Sequence, residues 1–326
     1  MSAPDDRQEP AARDQEGGAR AETSPPPEQR LQAADAPSES RWRETLSALL
    51  ANRLAAAGLL VLLLLVLAAV FADIVAPYSF TDGDLAHRLE PPSGEHWFGT
   101  DELGRDVLSR VIFGARVSLQ VGAVAVGISL VLGTLIGLVA GYRGGWVDAV
   151  LMRTMDVLFS FPVVLLAIAI VAVLSPSLVN TMIAIGVVFT PIFARVVRGS
   201  VLSVREEVYV RASRSLGASD WRIISRHVLP NVAAPVIVQT SLSLAFAILT
   251  EAALSYLGIG VQPPRPAWGL MLLDAQGFIA TGAWWMSLFP GLAIFLTVMS
   301  LNLVGDGLRD ALDPKQRSII QSRGVA

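Results

Sequence analysis

VRASRSLGASDWRIISRHVLPN, residues 210–231, separates two long apolar runs and poses the main question of the chain. It carries four arginines, Arg211, Arg214, Arg222 and Arg226, and a central glycine, in a sequence that is 53% hydrophobic and only 16% charged. A soluble domain of this size carries about a quarter charged residues. The deficit points to lipid as the solvent for much of the surface. The stretch itself reads as two short helices. Val208, Ala212 and Leu216 recur every fourth residue and share a stripe. Gly217 supplies the left-handed residue that ends a helix. Ser219 is placed to N-cap a second helix, with Asp220 favourable in its first turn. Trp221, Ile224 and Val228 then form an apolar face, and Pro230 marks the end.

Outward from this elbow, six stretches reach the roughly 20 apolar residues that a bilayer-spanning helix needs: 54–76, 116–141, 155–174, 181–197, 232–258 and 284–304. Their charges orient them. With a cytoplasmic N-terminus, the cytoplasmic segments hold twenty basic residues and the outer segments four, Arg88, Arg105, Arg110 and Arg265, with Arg116 at a boundary. Both termini and the elbow are therefore expected in the cytoplasm. Arg195 and Arg198 read as interfacial anchors. Gly133, Gly137 and Gly141 recur every four residues and leave one face of the second stretch bare for close helix contact. Pro162 and Pro191 should bend their helices, and Pro290 lies in the last span.

Several function classes drop out. Cysteine is absent, which excludes disulfides, thiolate zinc and thiol nucleophiles. No G-x-x-x-x-G-K-[ST] loop occurs, and the single lysine, Lys315, has no glycine-rich loop beside it. His87, His96 and His227 are scattered, without a metal-ligand or hydrolase spacing. Residues 1–40 hold nine acidic residues against four arginines and almost no large apolar side chains, the composition of a disordered tail.

For the elbow, two readings compete on residues alone: an interfacial helix meeting anionic lipid, or an element docking into a groove on a cytoplasmic partner. The glycine break favours docking, because a lipid-bound helix gains nothing from an interruption at its centre.

The stretch resembles the EAA loop of bacterial ABC-importer permeases, whose pattern is Glu-Ala-Ala, three residues, Gly, nine residues, Ile, one residue, Leu-Pro. Arg211, Ala212 and Ser213 hold the first three places, Gly217 the glycine, His227 the isoleucine place, and Leu229–Pro230 the ending. The spacing is kept, while arginine replaces the glutamate and histidine the isoleucine. HWFGTDELGRDVLSRVIFGARVSL (96–119), EAALSYLGIGVQPPRPAWG (251–269) and the C-terminal GDGLRDALDP are similar to the dipeptide/oligopeptide/nickel permease family.

The resemblance implies an all-α membrane protein with the type I ABC importer permease fold in the bacterial inner membrane. It implies transport of peptides or similar small solutes, nickel included. The expected organisation is a 1–40 cytoplasmic tail, a 41–115 helix with an outer segment, a 116–308 core containing the 205–231 loop, and a 309–326 cytoplasmic tail. Implied partners are a second permease subunit, two cytoplasmic ATPase subunits that bind ATP and Mg, and an extracytoplasmic substrate-binding protein. This chain holds no cofactor and no catalytic residue of its own. Contact with the ATPases falls to Arg211, Ala212, Ser213, Gly217, Ser219, Asp220, Trp221, Ile224, Leu229 and Pro230.

Beyond the loop, Glu251 lies inside the fifth span, where a carboxylate is costly unless paired or hydrated, so it is a candidate for the translocation path or for an interhelical bond. The stiff loop VQPPRPAWG, with Trp268, reads either as a surface that receives the binding protein or as a loop that is simply rigid. A segment at 96–114 is expected to form a short helix after Asp106 over the bundle. The alternative function is a self-sufficient secondary transporter or channel, which expects inverted repeats and several intramembrane carboxylates.

Overall fold

The computed structural model describes residues 38–312, so the expected tails fall almost wholly outside the described residues. Helices account for nearly all regular structure. In chain order they are α1 (Ser38–Ala51), α2 (Arg53–Val70), α3 (Ala72–Val75), α4 (Val107–Arg143), α5 (Gly145–Phe159), α6 (Val163–Leu174), α7 (Leu178–Arg205), α8 (Val208–Ser215), α9 (Asp220–Ile223), α10 (Leu229–Tyr256), α11 (Trp268–Ala275) and α12 (Trp285–Leu312). Among the described residues, five helices are long and apolar enough to cross a membrane: α2, α4, α7, the continuous Asp220–Tyr256 run, and α12. A sixth crossing arises if the bent pair α5–α6 counts as one span.

Glycine decides the central contact. α4 packs along α7, and the bare face expected at Gly133, Gly137 and Gly141 lies in that seam. A Cβ on Gly133 would stand 2.7 Å from the Thr190 carbonyl oxygen, one on Gly137 2.8 Å from Val197 Cβ, and one on Gly141 2.8 Å from Val201 Cβ. From the other side, a Cβ on Gly186 would meet Ile128 Cβ at 2.8 Å. The backbones approach too closely for any side chain, which is how helices gain dispersion contact where lipid gives them no hydrophobic reason to associate. The opposite face of α4 carries Val131, Leu132, Leu135 and Val139, all exposed, as lipid contact requires.

The first span is fastened at both ends. Gly58 of α2 lies against the Ser300 carbonyl and Leu303 of α12, and Gly307 of α12 lies against Ala55 and Leu49. At the far end, Arg116 of α4 donates from Nε to the Ala69 carbonyl at 2.9 Å and from Nη2 to the Val70 carbonyl at 3.1 Å. These are among the last carbonyls of α2, left without helical partners. A bond from Nη2 to Asp73 at 2.8 Å completes the joint.

The third expected span differs. The bend expected at Pro162 is a full break: 155–174 is divided between α5 and α6, which are bent by 92° across Ser160–Pro162. Pro162 lacks the N–H that would continue α5 and stands as the N-cap of α6. α6 alone measures about 18 Å, too short for a hydrocarbon core of about 30 Å. α5 is held to α7 by charge: Arg195 Nη2 donates to Asp156 at 2.8 Å and Arg198 Nη2 to Asp148 at 2.6 Å. Pro191 and Pro290, by contrast, lie inside unbroken helices. α12 continues to Leu312, four residues into the expected C-terminal tail.

Candidate functional site

The 205–231 elbow sits at one end of the bundle, where α4, α7 and α10 converge. α8 ends as the sequence predicts. Gly217 has φ +81°, its N–H bonds to the Arg214 carbonyl at 3.0 Å, and the Ala218 N–H reaches the Ser213 carbonyl at 3.1 Å. Nothing stands within 4 Å of where a Gly217 Cβ would be, so the constraint there is the left-handed backbone alone. Ser219 caps α9, accepting from the Arg222 N–H at 3.4 Å, with Asp220 in the first turn.

Pro230 does not end the second helix. A single π turn, Ile224–Val228, joins α9 to α10, and the Leu229 N–H reaches back to the Ile224 carbonyl. The wider turn absorbs Pro230, which has no N–H to give, at the first turn of α10. The elbow's second arm is therefore continuous with the fifth span. The extra residue also changes which side chains turn inward. Ile223 and Val228, five apart, are both fully buried with Val210, Val197, Val201 and Val232, while Ile224 is half-buried and Trp221 is 78% exposed. The expected face of Trp221, Ile224 and Val228 is thus split between the two sides. Ile223 was missed because an α-helical period separates it from Val228 and no residue type announces a π turn, and Val210 because the stripe through Val208, Ala212 and Leu216 is the exposed side of α8.

Large apolar side chains remain outside among the arginines. Leu216 is 88% exposed, Trp221 78% and Val208 72%, with Leu229 and Tyr209 also exposed. Arg211, Ala212 and Asp220 lie on the surface too, and Ser213 is half-buried. Arg211, Arg222 and Arg226 form no ion pair among the described residues. Arg214 instead packs over the Tyr142 ring and donates to its hydroxyl at 3.3 Å, while that hydroxyl donates to Asp220 at 2.6 Å. Arg205 donates to the Gly141 carbonyl at 2.9 Å. Both contacts tie the elbow to the end of α4. His227, in the isoleucine place, faces α8: Ser213 Oγ lies 3.5 Å from His227 Nε2, and the Tyr209 ring lies 5.8 Å from the His227 ring.

The other end of the bundle is a cap formed by residues 76–106 and α11. Asp106 N-caps α4, accepting from the Ser109 N–H at 2.7 Å, so the short helix expected after it is the start of a 37-residue one. Asp101, Asp106 and Arg110 are nearly inaccessible; Arg110 lies 3.0 Å from Asp101 and 3.3 Å from Asp274 of α11. Burial pushes the Glu102 and Asp274 carboxyls above the usual carboxylate range, with Asp101 adding to the effect at Glu102 and Arg110 opposing it at Asp274. Gly104, at φ +70°, lies on the backbone of Asp84, which admits no side chain. Trp268, expected to face a partner, is fully buried and donates to the Val111 carbonyl at 3.0 Å. Its ring fills the space left by Gly114. Glu251 is also fully buried. Ser255 donates to its Oε1 at 2.7 Å and accepts from the Val261 N–H at 3.2 Å, which links Glu251 to the turn after α10. Ser118 approaches from α4 without a well-formed hydrogen bond. His87 and His96 each meet one carboxylate, Glu90 and Asp106, and no group of three metal-ligating side chains occurs among the described residues.

Residues 133–318 match the family described as binding-protein-dependent transport system inner membrane component, and residues 40–92 match the N-terminal transmembrane domain of oligopeptide transport permease C. The chain is 49% identical to a dipeptide transport system permease protein, DppC, of Alkalihalophilus pseudofirmus, over 90% of this chain and 95% of that one. It is 45% identical to a glutathione transport system permease protein, GsiD, of Pectobacterium atrosepticum, over 85% and 92% of the two chains. A solved chain of the inward-facing MetNI methionine ABC transporter shares the fold, with TM-score 0.50 and 19% identity over 64% of this chain and 96% of that one. The chain belongs to the binding-protein-dependent inner-membrane components: it is a multi-pass permease subunit of an ABC importer, a class whose ATP hydrolysis resides on a separate subunit.

Proposed function

We propose that this permease forms half of a translocation path for dipeptides or similar short peptides, glutathione among them, and that the elbow receives force from a cytoplasmic ATPase. The substrate class rests on what the similar permeases carry by name. In this reading a second permease subunit completes the path, two ATPase subunits seat the elbows, and a binding protein delivers solute from outside. Both termini and the elbow face the cytoplasm, as the distribution of arginine supports.

One observation carries the coupling role: the elbow buries one apolar face in the bundle and exposes another, Val208, Leu216 and Trp221, to solvent. Exposed aliphatic and aromatic side chains on a rigid helical corner fit a groove in a partner. Arg211, Ala212, Ser213, Gly217, Ser219, Asp220, Ile224, Leu229 and Pro230 shape or flank that face. Arg211, in the place of a glutamate, is free for an acidic group on the ATPase. Because α9 runs through the π turn into α10, displacement of the elbow moves the fifth span with it. Burial of Glu251 supports a part in holding the turn at Val261, through Ser255, over direct contact with solute.

The test is a photo-cross-linking residue at Leu216 in the assembled transporter, combined with uptake of labelled dipeptide and glutathione. Cross-links to the ATPase subunit, and uptake of at least one of these solutes, are expected. Cross-links to lipid alone would contradict the coupling role.

A further inference from the structure

Glu251 on α10, Ser255 one turn further on, and Ser118 on α4 are all fully inaccessible. Ser255 satisfies one carboxyl oxygen of Glu251, donating to Oε1 at 2.7 Å. The other oxygen, Oε2, has no hydrogen-bond partner among the described residues, and neither has the Ser118 hydroxyl that faces Glu251 from α4. No arginine or histidine pairs with Glu251 among the described residues. Ala247, Ile248, Ala252 and Leu254 beside it on α10 are buried and apolar.

A bare carboxylate is unstable in such surroundings. Inside a bilayer an ionised side chain is tolerated where it pairs, meets water or reaches the surface. Buried and unpaired, it costs far more than a neutral group. One proton removes both defects. On Oε2 it cancels the charge and turns that oxygen into a donor, beside a hydroxyl that lacks a partner. Ser255 keeps its bond to Oε1, and the Val261 N–H its bond to Ser255.

The place of this cluster gives it a use. Glu251 lies 22 residues beyond Leu229, about 33 Å along α10 from the elbow. Gly269 of α11 rests on Ala252, the next residue, with no room for a side chain, and Gly260 is pressed in the same way on Ser255. On the other side, a Cβ on Gly122 of α4 would stand 2.9 Å from Ile248 Cγ1. α4 in turn is seated on α7 by the glycine seam. The end of α10 remote from the elbow is thus gripped between α4 and α11.

We propose that Glu251 is a protonated positioning residue: Oε2–H donates to Ser118 Oγ while Oε1 accepts from Ser255. The uncharged clasp holds the remote end of α10 to α4 and to the turn into α11 while the elbow displaces the near end. The proposal rests on the coupling role given above, in which force enters at the elbow. Being uncharged, the joint needs no counter-ion as α10 tilts.

The test compares Glu251→Gln, Glu251→Ala and Ser118→Ala in the complete transporter, reconstituted in proteoliposomes. Glutamine has the shape of the protonated acid and the same pairing, an amide donor for Ser118 and a carbonyl for Ser255. Its uptake of labelled dipeptide should stay within about twofold of the parent. Glu251→Ala should lower uptake about tenfold with ATP hydrolysis kept, because force enters and is not passed on. The milder Ser118→Ala should show the same split at about threefold. The infrared spectrum of the parent minus that of Glu251→Gln, at mildly alkaline pH, should contain the carbonyl band of a protonated carboxyl. A carboxylate band in its place, or a Gln variant as impaired as the Ala variant, would overturn the proposal. Hydrolysis lost together with uptake in Ser118→Ala would reduce the cluster to a fold-holding contact and overturn the positioning role. Spectrum and hydrolysis need no solute. A parent complex that hydrolyses ATP but takes up no dipeptide therefore overturns the substrate reading alone, and the band still decides the proton.

Discussion

The two ends of this bundle invert each other. The cap buries charge: Asp101, Asp106 and Arg110 are nearly inaccessible, and tryptophan indoles are spent on the backbone carbonyls of Val111 and Thr100. The elbow leaves Leu216, Trp221 and Val208 in the open while three of its arginines pair with nothing among the described residues. A buried ion pair is strongly damaging when one partner is lost, because the other charge stays behind in a dry site. An exposed leucine costs little until a partner covers it. The cap therefore gains its order from within the chain, and the use proposed for the elbow comes from outside it. Substitutions should divide accordingly, those at the cap acting on stability and those at the elbow on coupling.

The largest effect is expected from Leu216→Asp with Trp221→Asp. Uptake should fall at least about 100-fold, the scale of losing an interface hot spot, while the thermal midpoint of the purified permease stays unchanged. A lowered midpoint would mean that these side chains hold the fold, and the contrast between the ends would fail. Next comes Arg110→Ala, which takes from Asp274 its ion-pair partner among the described residues and leaves the buried Asp101 with Arg105 alone. A loss of about 3–5 kcal/mol is expected in unfolding from detergent micelles. Arg110→Lys should recover only part of it, because an ammonium cannot address two carboxylates as a guanidinium fork does.

Gly137→Leu probes the seam that supports both ends. Its side chain would displace Ala194 and Val197, and overpacking of about 1–3 kcal/mol, or separation of α4 from α7, should appear as reduced abundance in the membrane. Gly217→Ala is smaller. With open space around it, the cost is the left-handed backbone alone, about 1–2 kcal/mol, and uptake should weaken without being abolished. The smallest change is expected from Asp156→Ala, since its bond to Arg195 is solvent-exposed and worth about 0–1 kcal/mol.

The sequence carries these features unevenly, for physical reasons. A four-residue glycine repeat has few uses in a membrane helix other than close packing, so the α4–α7 seam is legible from Gly133, Gly137 and Gly141. The Gly217 elbow and the Ser219 cap depend on neighbouring residues alone and are equally visible. The right-angle break at Pro162 is only half visible: the proline announces a bend, but α5 becomes a separate helix through Asp148 and Asp156 meeting arginines about 40 or more residues away. The π turn is hidden, because Pro230 reads as a terminator until the wider turn before it absorbs the missing donor. Trp268 misled for a related reason. Its loop is rich in proline and looks like surface, while Gly114, far off in sequence, leaves the space that its ring fills.

The coupling role depends most on where Trp221 lies and what covers it. Trp221→Cys, made in a chain without cysteine, can be challenged with a membrane-impermeant maleimide in intact cells, in inside-out vesicles, and in vesicles stripped of the ATPase. No labelling is expected from outside, slow labelling in inside-out vesicles, and fast labelling once the ATPase is removed. Labelling in intact cells, or a rate indifferent to the ATPase, would contradict it.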